Sequence, residues 1–163
     1  MDESEEDYFE EPFIQGYVPV DNVYMSAAKE YARLYSLDKT MPAGSVIVSN
    51  KNIIGYGTNG SDYHNSNICE RVRLNIPTGQ GYELCEGCHP KNHSEVKAIE
   101  DALVKGFDLT GSELYLWGHW WLCRWCRDRM AKVKIKTIYL LENSEIHFNK
   151  KNVNNIIGNQ FKK

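Results

Sequence analysis

A chain of 163 residues, 42% apolar and 12% aromatic, fits one domain with a real hydrophobic core. No apolar run approaches the roughly 18 residues of a membrane-spanning helix, and the amino terminus is acidic where an export signal is basic and then apolar, so a cytoplasmic protein without a membrane partner is expected. The net charge of -3 is unevenly placed: MDESEEDYFEE, the first eleven residues, holds seven acids and no base, leaving 19 basic against 15 acidic groups in the rest. Such a mildly basic body suits a small anionic molecule and falls short of the excess that polynucleotide binding demands.

In chain order, residues 1–20 are acidic and then broken by Pro12, Gly16 and Pro19, which predicts a poorly ordered tail before a single domain over 21–163. DNVYMSAAKEYARLYSL sets Met25, Ala28, Ala32 and Tyr35 at helical spacing behind Asp21 or Asn22 as cap. SVIVSNKNIIGYG reads as a β-hairpin turning at Asn50-Lys51-Asn52. Residues 58–92 are rich in Gly, Asn and Pro and too long to be an idle connection, so something must tie them down. HSEVKAIEDALVKG is a helix with Val96, Ile99, Ala102 and Leu103 on one face and a glycine stop. SELYLWG is a strand, LCRWCRDRMAKV a helix, KTIYLLE a strand, and residues 152–161 are expected to add a short helix. The order predicts a layered α/β sandwich whose last strands are parallel neighbours joined by a crossover helix.

Five cysteines, an odd number in a reducing compartment, point to ligands, catalytic groups or free thiols ahead of a disulfide framework. Cys123 and Cys126 put both sulfurs on the first turn of a helix, where unsatisfied N–H groups favour thiolate. A catalytic zinc takes three protein ligands and keeps its fourth position open. His93, at the start of another helix, supplies the third ligand, and Glu95 follows on the same turn as a proton shuttle for zinc-bound water. In the 58–92 segment, Cys69, Cys85 and Cys88 with His64 or His89 complete the ligand set of a second, structural zinc.

His93-Ser94-Glu95 followed by Cys123-x-x-Cys126, with SNKNIIGYGTNG before them, resembles the cytidine and deoxycytidylate deaminase family over about residues 22–143. The resemblance implies a three-layer α/β/α sandwich with a mixed five-stranded sheet. It implies hydrolytic deamination of a cytosine nucleotide, dCMP to dUMP foremost, in which zinc-bound hydroxide attacks C4 and Glu95 carries the proton. It places Asn59 where the family contacts the nucleotide sugar, implies an extra zinc near the insertion, and suggests a homo-oligomer, a hexamer by that likeness. Position 122 is Leu where the family has Pro, and the WGHWW loop before it is bulkier than usual; there His119 touches substrate or orients the loop, and Trp120 stacks on a base or packs the core.

Other readings stay open at this point. A deaminase acting on cytosine or adenosine in single-stranded DNA or tRNA uses the same metal motif, and the tryptophans offer a stacking platform. Cys85, Cys88, Cys123 and Cys126 can instead form one non-catalytic zinc module, although the 34 residues between the pairs are too many for the usual spacing. Cys85-Glu86-Gly87-Cys88-His89 also has the form of a c-type haem attachment site, a chemistry that follows export.

Overall fold

Two sets of buried side chains, pointing to opposite faces of the same strands, organise the molecule. A computed structural model describes residues 14–77 and 80–162, and of His64 and Glu83 only the backbone. Strand β1 (Ile14–Val18) precedes helix α1 (Val23–Tyr35), the hairpin β2 (Gly44–Ser49) and β3 (Asn52–Thr58), and two single-turn helices, α2 (Tyr63–Ser66) and α3 (Glu70–Arg73). Three 3-10 turns lead into α4 (Ser94–Val104), followed by β4 (Glu113–Trp117), α5 (Arg124–Lys132), β5 (Thr137–Leu141) and α6 (Ser144–Phe148).

The strands form one mixed five-stranded sheet in the order β1-β5-β4-β2-β3. β1 and β4 run parallel to β5, while β2 pairs antiparallel with both β3 and β4. Period-two alternation sorts the two cores. Ile47, Leu114 and Leu116 face α4 and α5 with Val96, Ile99, Ala102 and Met130, whereas Val46, Val48, Tyr115 and Trp117 face α1 with Met25, Ala28 and Ala32. This is the expected α/β/α sandwich, with the crossover helix α5 joining two parallel neighbours.

Local chemistry explains the boundaries. Asn22 caps α1, its Oδ1 accepting from the N–H groups of Tyr24 (3.0 Å) and Met25 (3.1 Å). The hairpin turns on Asn50 and Lys51, both at positive φ, the conformation a two-residue turn requires. Tyr35, expected on the buried face of α1, is exposed and lies beside Tyr31 and Tyr56 instead. Gly57 lets α4 settle backbone against backbone: a Cβ there would stand 2.4 Å from the Ser94 carbonyl oxygen and 2.4 Å from the Ala98 nitrogen.

Two expectations need correction. The segment 14–18, expected within a poorly ordered acidic tail, is strand β1 of the sheet: its backbone pairs with β5 from Ile14↔Thr137 to Val18↔Leu141. Pro19 follows this strand and does not interrupt it, and the residues before Ile14, Pro12 among them, lie outside the described residues. Residues 152–161 form successive turns, and the last helix is α6, earlier in the chain. Asparagine side chains compete with helix there: Asn152 Oδ1 accepts from the Asn154 N–H, Asn155 Nδ2 donates to the Asn152 carbonyl, and Asn155 Oδ1 accepts from the Ile157 N–H. The segment folds back so that Gln160 donates to the Thr40 carbonyl (3.0 Å) and Phe161 packs near Trp117.

Gly57→Ala is expected to cost about 1–3 kcal/mol by overpacking the α4 contact, read as a lowered midpoint in thermal or denaturant unfolding. Unchanged stability would mean that α4 does not rest on the sheet as described.

Candidate metal centre and active site

Two helix starts meet at one point beside the sheet. His93 is the N-cap of α4, in extended conformation (φ -75, ψ 149), with Ser94 and Glu95 on the first turn. Cys123 is the N-cap of α5 and its Sγ accepts from the Cys126 N–H at 3.4 Å. His93 Nδ1 lies 3.6 Å from Cys123 Sγ and 3.4 Å from Cys126 Sγ, and the two sulfurs stand 2.9 Å apart.

Tetrahedral zinc at ordinary bond lengths needs S···N of about 3.5 Å and S···S of about 3.8 Å. The imidazole therefore stands at the right separation from both sulfurs, and the sulfurs need to open by under about 1 Å, within reach of a small χ1 rotation. The donor set, one nitrogen and two sulfurs, is that of a zinc site with an open fourth position. The hydrogen bond between the two sulfurs holds the Cys123 thiol down at about 6 against burial, with His93 adding to the effect. Cys126 is pushed well up, by burial first and by Cys123 and Glu95 next. Burial works against a charge on His93, yet the hydrogen bond to Cys123 raises it.

Glu95 is almost wholly buried at 6% exposure, within reach of the Cys126 thiol. Its Oε1 accepts from Ser94 Oγ at 2.7 Å, and Ser94 Oγ lies 2.8 Å from Ser45 Oγ on β2. The expected pair of a metal ligand set and a buried carboxylate is thus assembled.

The wall of the site comes from the WGHWW loop and the insertion. His119 is neutral, burial pushing it down to about 4, with the Glu95 carboxylate opposing and His93 reinforcing. Its Nδ1 accepts from the Trp121 N–H at 3.3 Å, which leaves the proton on Nε2. Trp120 stacks on the imidazole with centroids 4.6 Å apart and planes within 2°, so one of its faces is already covered. Leu122, where proline was expected, is 1% exposed and anchors the loop in the core. From the insertion, Tyr82 packs edge-on to His93 at 4.9 Å, with the Arg71 guanidinium over its ring at 4.4 Å. Spacing did not single out Tyr82, Ser45 or Ser94, since their relevance arises only from packing across distant parts of the chain.

The Asn59 side chain is tied to the loop that precedes the hairpin. Its Oδ1 accepts from the Ala43 N–H (2.8 Å) and Ser36 Oγ (2.6 Å), and its Nδ2 donates to the Met41 carbonyl (2.8 Å). The side chain shapes the 36–43 loop and keeps a single Nδ2 hydrogen for anything else.

A second cluster gathers Cys69, Cys85 and Cys88 within 4.8 Å of one another, with Cys69 Sγ 3.6 Å from Cys88 Sγ. Burial pushes Cys88 up to about 12 against the opposing effect of Arg71. Cys69 is lowered in spite of burial by N–H groups at the start of α3 and by the neighbouring thiols. His89 turns away: its Nδ1 accepts from the Lys91 N–H and its ring meets Trp125 edge-on. The His64 side chain lies outside the described residues. Because the thiols fall into two separate groups, the single four-thiolate module does not form.

No curated protein matches the chain. Among solved structures, the dCMP deaminase of cyanophage S-TIM5 in apo form is 22% identical over 77% of this chain and 86% of its own, with a TM-score of 0.50. The same enzyme in complex with dCMP and dUMP is 21% identical over 77% and 85%, also at 0.50. A Thermotoga maritima diaminohydroxyphosphoribosylaminopyrimidine deaminase/5-amino-6-(5-phosphoribosylamino)uracil reductase is 26% identical over 72% of this chain and 28% of its own, at 0.45. The phage enzyme shares the fold. Residues 19–142 match the family model of the cytidine and deoxycytidylate deaminase zinc-binding region, a stretch that includes both helix starts and the insertion. The chain therefore belongs to the cytidine and deoxycytidylate deaminase family and is a zinc-dependent deaminase.

Proposed function

We propose that the protein deaminates a free cytosine nucleotide, dCMP to dUMP foremost, with His93, Cys123 and Cys126 holding zinc and Glu95 moving the proton. The observation that carries this reading is the buried Glu95 carboxylate beside three ligand atoms that converge between two helix starts. Zinc in that position supplies an acidified water and offsets the charge that develops during attack. Glu95 accepts a proton from the attacking water and delivers it to N3 of the ring, then takes the remaining proton from the new C4 hydroxyl and passes it to the departing amino group. The C4–N bond breaks, C4 keeps the oxygen, ammonia leaves, and the carboxylate ends ionised. His119 offers a neutral Nε2–H donor beside the site, and Trp120 offers one uncovered ring face to a base.

A free nucleotide is favoured over a polynucleotide by the modest basic excess of the body and by the acidic residues at positions 2–11, which repel a phosphate backbone. The expected homo-oligomer and cytoplasmic setting belong to the same reading. We assign a second, structural zinc to Cys69, Cys85 and Cys88, with His64 or His89 as the fourth ligand. Such an ion would hold together an insertion with little core of its own, since α2 and α3 are one turn each.

Glu95→Gln is expected to retain zinc while losing about 10²- to 10⁴-fold in kcat, measured as ammonia release from dCMP; full activity would remove Glu95 from the reaction. Metal analysis of Cys69→Ser and Cys123→Ser is expected to show each variant emptying its own site and leaving the other filled. Loss of both ions from either variant would mean that the sites are not independent. Ligands bind zinc only when deprotonated, and Cys123 is held at about 6 before the metal lowers it further. Chelator competition should therefore strip the catalytic site more readily as the pH falls to about 6 and below, and retention independent of pH would contradict thiolate ligation.

A further inference from the structure

We propose that Ser94, backed by Ser45, is a positioning residue that fixes the Glu95 carboxylate for proton transfer, an inference that rests on the reading of Glu95 as proton carrier. Ser94 Oγ donates to Glu95 Oε1 at 2.7 Å, and Ser45 Oγ lies 2.8 Å from Ser94 Oγ. Both serines are fully buried at 0% exposure. A hydroxyl has one hydrogen, and a carboxylate only accepts. With the Ser94 hydrogen committed to Glu95, Ser45 must donate into Ser94, so the three groups form a chain pointing one way, towards the carboxylate.

The far end of this chain is rigid. Ser45 sits on β2 with strands on both sides, opposite Gly57 of β3 and Leu116 of β4. Ser94 is the first residue of α4, and the missing Cβ of Gly57 lets its backbone approach the sheet closely enough for the hydroxyls to meet. Without this tie Glu95 would hang from the fraying first turn of a helix. With it, Oε1 is held to the sheet through two hydroxyls and the carboxylate is fixed in orientation. Proton transfer requires heavy atoms at hydrogen-bond distance in a fixed orientation, so freedom in the carboxylate is paid in rate and not in substrate binding. A pair of small apolar residues would fill the same space with no buried hydroxyls to satisfy, which leaves packing without a reason for this choice.

The test uses Ser94→Ala and Ser45→Ala in the zinc-loaded protein, each compared with Glu95→Gln and with the Ser94→Ala/Glu95→Gln double variant. Ser94→Ala is expected to lower kcat about tenfold with KM and zinc content unchanged, Ser45→Ala to lower it less, and the double variant to be no slower than Glu95→Gln alone. A second readout needs no substrate: the carboxylate stretch of Glu95, isolated as the infrared difference between wild type and Glu95→Gln, should shift in Ser94→Ala. A merely structural role would lower thermal stability and leave both the band and kcat in place. Unchanged kcat in a zinc-loaded Ser94→Ala variant, an unmoved band, or an equal loss in the Glu95→Gln background would each overturn the proposal. If Glu95→Gln is itself fully active, the proton-carrier reading falls and this inference with it; an inactive Glu95→Gln beside a fully active Ser94→Ala defeats the inference alone.

Discussion

Three ligand atoms can share one ion only if the starts of α4 and α5 are brought together and kept dry, and much of the structure serves that placement. α5 begins where β4 ends because it must cross back to a parallel neighbour, β5. α4 is set by a different force: it lies flat on β2 and β3 because Gly57 leaves room for its backbone. The open N–H groups and positive dipole ends of both helices point at the same place, which makes it favourable for thiolate and, beside it, for a buried carboxylate. A site of this kind needs no long-range electrostatic field, which agrees with a body whose charges nearly balance.

The site residues are read easily from the chain because each pair is local. His93 and Glu95 fall within one turn, as do Cys123 and Cys126, and the chemistry of zinc supplies the reason to join the pairs. The four strands and three long helices follow from hydrophobic period, with caps such as Asn22 where expected. What sequence periodicity does not reveal is pairing across distance. The fifth strand has only five residues, IQGYV, of which none is fully buried, and its identity depends on an edge of β5 that the local sequence cannot know. Asn59 likewise makes side-chain hydrogen bonds to a loop that precedes it in the chain, a pairing its local motif does not reveal. Residues 152–161 mislead for the opposite reason, since their asparagines offer the backbone local partners that helix spacing ignores.

The insertion has a comparable logic. It contributes Tyr82 to the wall beside His93 and carries its own group of thiols, so the part of the chain with least regular structure touches the part with most chemistry. Arg71 joins the two, lying over Tyr82 on one side and reaching Cys88 on the other. Order in the thiol cluster and order in the wall are thereby connected, through this guanidinium and through the Cys85 N–H, which donates to the Tyr82 carbonyl at 3.3 Å.

The strand that opens the described chain finds its partner only at β5, nearly the whole domain later. During synthesis, β5 must therefore leave the ribosome before Ile14–Val18 has anything to join, and until then β5 keeps an open edge. Contacts this distant in the chain are slow to close. Completion of the sheet is accordingly among the last events of folding, and the interval before it is when a newly made molecule is most exposed to pairing with another copy of itself.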